Sequence, residues 1–189
     1  MTAKEIIKNV CIYLGKEELL ASSFFETNGE NVSEQGQKDL DKMLKCINDI
    51  TEELATEYLP ITKTKIVDLS GGSIDLYSID DYIHEIISVK TLSGKTLRYV
   101  ISGNKMVCLA SRVEITYKVY PEEITFDGKA ESFGGKLSAR VIAYGVASEY
   151  CFLEMLYDDA TIWENRYKNA LLNASRKKGE LKLKKRGWF

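Results

Sequence analysis

Histidine occurs once in this chain of 189 residues, proline twice and cysteine four times, and each shortage closes off a class of explanation. With His84 alone, a Cys/His zinc site has to be assembled from scattered positions, against the close ligand spacing such sites use. Cys11, Cys46, Cys108 and Cys151 form no CxxC pair, and each stands among apolar neighbours where cysteine serves as a small buried hydrophobe. No metal and no cofactor is expected. Long apolar runs are missing too: the longest, starting at Val141, stops at Ser148-Glu149, far short of the ~18 residues of a membrane span. The opening Met1-Thr2-Ala3-Lys4-Glu5 carries an acid and no apolar core, so no secretory signal is expected and folding is expected in the cytoplasm. Disorder is excluded by composition, since 44% of residues are hydrophobic and the formal net charge is only −2.

Catalytic signatures are also lacking. There is no GxxxxGK[ST] or GxGxxG to cradle phosphates and no GxSxG elbow, and Gly71-Gly72 runs into Ser73 and a strand pattern, as a hairpin turn does. His84 lies in Tyr82-Ile83-His84-Glu85-Ile86, where strand alternation puts it on one face with Tyr82 and Ile86. A partly buried histidine bonded to a neighbour is expected there, not a general base. The acid pairs Asp80-Asp81, Glu122-Glu123 and Asp158-Asp159 fall in loops or at helix ends, where carboxylates act as caps and turn formers. An enzyme is not expected.

Pro60 and Pro121 bracket a segment whose periodicity differs from its flanks. Before it, Thr2 with Glu5 predicts a capped helix carrying Ile6, Ile7, Val10 and Leu14 and closed at Gly15. A short helical piece over 17–25 and a polar loop over 26–32 follow. Ser33 then caps a helix to about Tyr58, with Leu40, Met43, Leu44, Ile47, Ile50 and Leu54 spaced three and four apart. Between the prolines, 66–69, 74–77, 83–92, 96–101, 106–109 and 113–120 read as six antiparallel strands separated by Gly-containing turns. Residues 122–136 read as an exposed loop. A helix from Ser138 carries Val141, Ile142, Val146, Tyr150, Leu153 and Leu156; Asp158-Asp159 breaks or caps it, and a last helix carries Ala160, Trp163, Tyr167 and Leu171. The fold class is α+β. Residues 1–59 and 136–178 make a discontinuous helical bundle, 60–135 a small β insertion with an exposed loop, and 179–189 an extended C-terminal arm.

The arm is the unusual feature. Residues 176–189 hold seven bases and one acid, which leaves 19 bases and 27 acids for the rest of the chain. Leu181 and Leu183 alternate with Lys182 and Lys184, then Lys185, Arg186 and Gly187 lead to Trp188-Phe189. A solvated terminus leaves two large aromatics in water, which forgoes roughly 1.5–3 kcal/mol each. A nucleic-acid arm draws on the bases and on stacking, but the acidic body repels the same phosphates. An arm docked on a protein neighbour uses every feature: strand-like alternation, basic steering and aromatic anchors. Leu181, Lys182, Leu183, Lys184, Lys185, Arg186, Trp188 and Phe189 are the candidate partner-binding residues.

Taken as a series of elements, the chain resembles the head-to-tail adaptor (connector or neck) proteins of tailed bacteriophages. The likeness is carried by Ala3-Lys4-Glu5-Ile6-Ile7 in the first helix and by Cys46-Ile47-Asn48 leading to Glu57-Tyr58-Leu59-Pro60. The β insertion, Ala143-Tyr144-Gly145-Val146-Ala147-Ser148-Glu149-Tyr150, Trp163, Tyr167 and the closing Lys184-Lys185-Arg186-Gly187-Trp188-Phe189 complete it. The resemblance implies a virion protein of the phage neck, assembled in the host cytoplasm into a homo-oligomeric ring, commonly of twelve copies. It implies contacts with the portal and with tail-side neck or tail proteins, no membrane, and DNA passing through the ring without sequence-specific binding. The alternative is a nucleic-acid-binding accessory protein that uses the basic arm.

Overall fold

The computed structural model describes residues 1–25, 32–80, 82–131 and 133–175. Helix α1 (Ala3–Tyr13) starts where Thr2 Oγ1 accepts the Glu5 amide at 3.2 Å, which satisfies one of the free donors of its first turn. Ile6, Ile7 and Val10 are fully buried, and Gly15 follows with φ +63°, a left-handed conformation suited to glycine. The short helical piece is α2 (Glu17–Leu20) followed by a 3₁₀ turn over Ser23–Phe25. Helix α3 (Glu34–Glu53) is capped by Ser33, whose Oγ accepts the Gly36 amide at 3.1 Å.

The α-helical winding does not continue to Tyr58. Leu54–Tyr58 forms a wider π turn, which rotates the stripe: Leu54 and Ala55 are buried while Tyr58 turns outward. Pro60, which has no amide to donate, then begins the extended chain.

The middle segment is β1 (Ile61–Asp68), β2 (Ser73–Asp75), β3 (Ile83–Lys90), β4 (Tyr99–Ser102), β5 (Lys105–Cys108) and β6 (Arg112–Val119). These make two three-stranded antiparallel sheets, ordered β1-β6-β3 and β2-β5-β4. Strand β1 pairs with β6 along its whole length, from Ile61 opposite Val119 to Asp68 opposite Arg112. Val113, Ile115, Tyr117 and Val119 alternate inward and join Val89 and Met106 in one apolar cluster drawn from both sheets. With small antiparallel sheets beside helices, the chain is α+β.

Three expectations about this region are corrected. The strand over 74–77 ends at Asp75, whose carboxylate accepts the Tyr77 amide at 3.0 Å and turns Leu76–Ser78 into a 3₁₀ turn. Strand β3 carries register shifts between Ile83 and Glu85 and between Ile86 and Ser88. Each sets one residue, His84 or Ile87, outside the ladder and resets the alternation. His84 is therefore exposed while Ile86 is buried, and its ring lies 4.8 Å from that of Tyr120. The stretch over 122–136 is not simply an exposed loop, because Ile124, Ala130 and Phe133 are buried with the helices. Its backbone groups find partners, which makes that burial tolerable. Asn48 Oδ1 accepts the Ile124 amide at 2.8 Å and Asn48 Nδ2 donates to the Ile124 carbonyl at 3.2 Å. The Ala3 and Ala130 amides donate to the Gly128 and Met1 carbonyls.

Helix α4 (Ala139–Leu153) touches α1, α3 and α5 (Tyr157–Ser175). Gly145 sets how closely these approach: a Cβ there would lie 3.0 Å from Ile50 Cδ1 and 3.1 Å from Tyr167 Cε2. Buried residues of α1, α3, α4 and α5 share a single apolar cluster.

Candidate functional site

Leu181, Lys182, Leu183, Lys184, Lys185, Arg186, Trp188 and Phe189 lie outside the described residues. Within them, the feature built like an interaction surface is the end of the helical body where α4 turns into α5. Met155 makes that turn with φ +60°, a left-handed conformation that costs a non-glycine residue roughly 1–2 kcal/mol. Around it Phe152, Leu153, Met155, Leu156, Tyr157 and Ile162 are 40–74% exposed. Leu153 and Leu156, expected on the buried stripe, point outward because α4 stops at Leu153. Asp158-Asp159 does not break the helix; it forms part of the first turn of α5, where carboxylates favour the positive end of the helix dipole. Single exposed apolar residues are ordinary, but six large ones around one turn mark a surface made to be covered.

Beside this turn a groove of about 360 Å³ runs between α1, α4 and α5. Tyr13, Leu14, Cys151, Leu156, Ile162 and Trp163 give it an apolar lining, and Glu154 and Asp159 add carboxylates. Its aromatic wall is ordered by stacking: the Tyr13 and Trp163 rings are 5.0 Å apart and 21° from parallel, with Tyr144 5.3 Å from Tyr13. Arg140 Nε donates to Tyr144 Oη at 2.6 Å, and the Arg166 guanidinium lies 4.7 Å from the Trp163 ring centroid.

The charges around the groove fall into paired and unpaired sets. Lys16 Nζ donates to Asp39 Oδ2 at 2.8 Å, Gln35 Nε2 donates to Asp39 Oδ1 at 3.2 Å, and the ammonium sits 5.1 Å from the Tyr150 ring centroid. Burial by itself would raise the Asp39 carboxyl, but the Lys16 hydrogen bond and charge outweigh it and hold the group below its ordinary value. Burial would lower Lys16, and its bond to Asp39 reverses that and raises it. Glu154 is paired with Lys42. Exposed Glu17, Glu18, Asp158 and Asp159 have no ion-pair partner among the described residues, and neither have the exposed Arg140 and Arg166 on the aromatic wall, so both signs of charge border the groove.

An acidic face lies on the other flank of α4. Burial first, then Glu57 and Glu149, raises Glu53, while burial and the charges of Asp49 and Glu164 raise Glu149. The Tyr167 hydroxyl is buried nearby without a hydrogen-bond partner. Among the described residues no group of three His, Cys, Asp or Glu side chains is placed to hold a metal ion. The four cysteines are buried and free, and burial pushes the thiols of Cys11 and Cys46 up to about 11 and about 12, so both are protonated at neutral pH.

No protein-family model matches the chain, and no curated protein matches it. The groove and the turn are therefore read from their own chemistry. Sequence reasoning missed Phe152, Met155, Tyr157 and Ile162, although a signal was present. The run Phe152-Leu153-Glu154-Met155-Leu156-Tyr157 holds one charge in six residues, far too apolar for a turn that faces only water.

Proposed function

We propose that this protein is a structural, non-catalytic subunit of a phage neck, a ring-forming head-to-tail adaptor that joins the portal to the tail. The observation that carries this reading is the exposed apolar turn from Phe152 to Tyr157, continued by Ile162, a surface whose natural cover is another protein. In this reading α1, α3, α4 and α5 form the bundle that packs side by side in the ring, and the β module is an insertion projecting from it. The arm residues 179–189 bind partners, copies of the chain and the portal among them. The finished site of action is the virion, and DNA traverses the ring without base-specific contact. Resemblance of the element series to phage adaptors supports the assignment.

The test is the mass of the purified full chain, alone and with a portal protein, by native mass spectrometry and sedimentation. A closed homo-oligomer of about twelve copies that stacks on the portal is expected. A chain that stays monomeric at every concentration, with and without the portal, overturns the proposal.

The basic arm favours one other reading, a nucleic-acid-binding accessory protein. Its mark is DNA binding that weakens steeply with salt, with a slope that falls when Lys182, Lys184 and Lys185 become Gln.

A further inference from the structure

We propose that the two flanks of the α4–α5 pair are the two halves of a contact between copies of this chain, in which Arg140 and Arg166 of one copy dock on the carboxylates of Glu53, Glu57 and Glu149 of the next. This rests on the ring reading and names the surfaces by which one subunit meets its neighbour. Helix geometry puts the halves on opposite sides. Arg140 and Glu149 are nine residues apart on α4, about two and a half turns, so they leave the helix in opposite directions. Arg166 and Glu164 are two residues apart on α5, about 160° around it, and divide in the same way. Gly145 brings α4 against both Ile50 and Tyr167, so the acidic flank lies between α3 and α5. Tyr13 and Trp163 close the other flank, between α1 and α5.

Each half is left unsatisfied by its own chain. On the basic flank Arg140 lies 5.6 Å from the Tyr144 ring centroid and Arg166 4.7 Å from that of Trp163, and neither has an ion partner among the described residues. Stacking of this kind fixes a guanidinium in place and leaves N–H groups to fork onto a carboxylate. Lys16 and Glu154 near that flank are already paired, with Asp39 and Lys42, and the acid Asp159 stands about two turns from Arg166 on α5. On the acidic flank Asp49, Glu53, Glu57 and Glu149 have no ion partner among the described residues. Glu164 is held by Lys168, and Lys45 stands one turn ahead of Asp49, so carboxylates outnumber the ammonium groups beside them. Burial first, and then one another's charges, raise the Glu53 and Glu149 carboxyls. Tyr167, 4% exposed, sets its hydroxyl beside Glu53, Glu57 and Glu149 with no hydrogen-bond partner. A guanidinium placed among these groups cancels the repulsion and lets a carboxylate turn to accept that hydroxyl. Because the halves face opposite ways, one two-fold contact cannot use both. A head-to-tail contact can, and it repeats from copy to copy until the ring closes.

The test uses the full chain with Arg166→Lys, which keeps the charge and supplies an amine that a zero-length carbodiimide joins to an adjacent carboxylate. Equal amounts of isotope-labelled and unlabelled copies are mixed under the conditions in which the parent assembles, then coupled. Amide cross-links from position 166 to Glu53, Glu57 or Glu149 in mixed-isotope pairs are expected, since the chain's own cluster is on the far side of α5. Two charge reversals at exposed positions test the energetics, Arg140→Glu with Arg166→Glu and Glu57→Arg with Glu149→Arg. Each pair alone should weaken self-association about tenfold or more. An equal mixture of the two variants should restore it as alternating copies, a recovery that misfolding cannot give. Cross-links from position 166 that fall elsewhere or stay within one isotope overturn the proposal. So do reversal variants that assemble as the parent does, or that stay apart when mixed although each melts cooperatively. If the parent forms its ring while these results fail, the contact is wrong and the ring reading stands. If no ring forms yet the mixed-isotope links appear, the ring reading falls and the contact stands; with neither, both fall.

Discussion

Replacing Gly145 by Ala sets two opposing effects against each other, and the structure decides between them. In an exposed helix the change would stabilise by about 0.8–1 kcal/mol, because alanine loses less backbone entropy on folding. At this position the new methyl meets Ile50 Cδ1 at 3.0 Å and Tyr167 Cε2 at 3.1 Å, where contacts between carbons settle near 3.5–4.0 Å. Ile50 and Tyr167 are both buried, so neither can swing clear without disturbing its neighbours. Overpacking of this kind costs about 1–3 kcal/mol. The net expectation is a loss of about 1 kcal/mol, a fall in melting temperature of ~2–4 °C for a chain of this size. Urea and thermal denaturation followed by far-UV circular dichroism measure it. Ile50→Val removes the nearest methyl, so the double variant should recover part of the loss, with a coupling energy of about 1 kcal/mol. A G145A protein more stable than the parent by about 1 kcal/mol, with no coupling to position 50, would mean that α4 does not approach α3 and α5 as described.

Asp39→Ala leaves the Lys16 ammonium without its partner; about 2 kcal/mol should be lost, less than the 3–5 of a fully buried pair because a third of the Lys16 side chain stays in water. Since the Asp39 carboxyl is held low, its stabilisation is in force above the ordinary carboxylate pKa and disappears as pH falls through the lowered value, so parent and variant melting curves should converge in acid. Glu53 and Glu149 work in the opposite direction. Their raised values mean the folded chain binds protons more readily than the unfolded one, so stability falls as pH rises through the window from the ordinary carboxylate pKa to the raised one. Glu149→Gln should therefore melt higher than the parent at pH 7, with the gain vanishing below the ordinary carboxylate pKa; a constant gain at all pH values counts against the charge explanation. His84→Ala, at an exposed bulge, should shift stability by no more than about 0.5 kcal/mol and leave ring mass unchanged. Deleting residues 187–189 should leave the melting curve intact and weaken partner attachment in sedimentation, whereas replacing Lys182, Lys184 and Lys185 by Gln should do so less and only at low salt.

Local signals in the sequence were legible where short-range chemistry decides the outcome. Thr2 and Ser33 cap their helices through hydroxyl groups one turn from their targets, and the alternation of Val113, Ile115, Tyr117 and Val119 fixes the inner face of β6. Features set by distant partners were not legible. Nothing near Ile124 in sequence shows that Asn48 will hold its backbone, and nothing near His84 shows that β6 will pair past it and leave it outside the ladder. The π turn at Leu54–Tyr58 is likewise invisible to a count of threes and fours, which cannot see an extra residue in one turn. At the candidate surface the period carried the stripe on to Leu153 and Leu156, but α4 ends at Leu153, Leu156 lies beyond it and both are exposed, because a count of threes and fours does not see where a helix stops.

The zipped pair of β1 and β6 also shapes how the chain finds its fold. Helices α3 and α4 must meet although about eighty residues separate Leu59 from Ala139, a long closure for an unstructured loop. Once Ile61 sits opposite Val119, that separation shrinks to the segment from Tyr120 to Ser138, about twenty residues. Two halvings of loop length lower the closure cost by about 1.2 kcal/mol. The ribbon serves as a shortcut: strands that form first bring the two halves of the helical body within reach of each other, and residues added or removed beyond Asp68 and before Arg112 leave that distance unchanged.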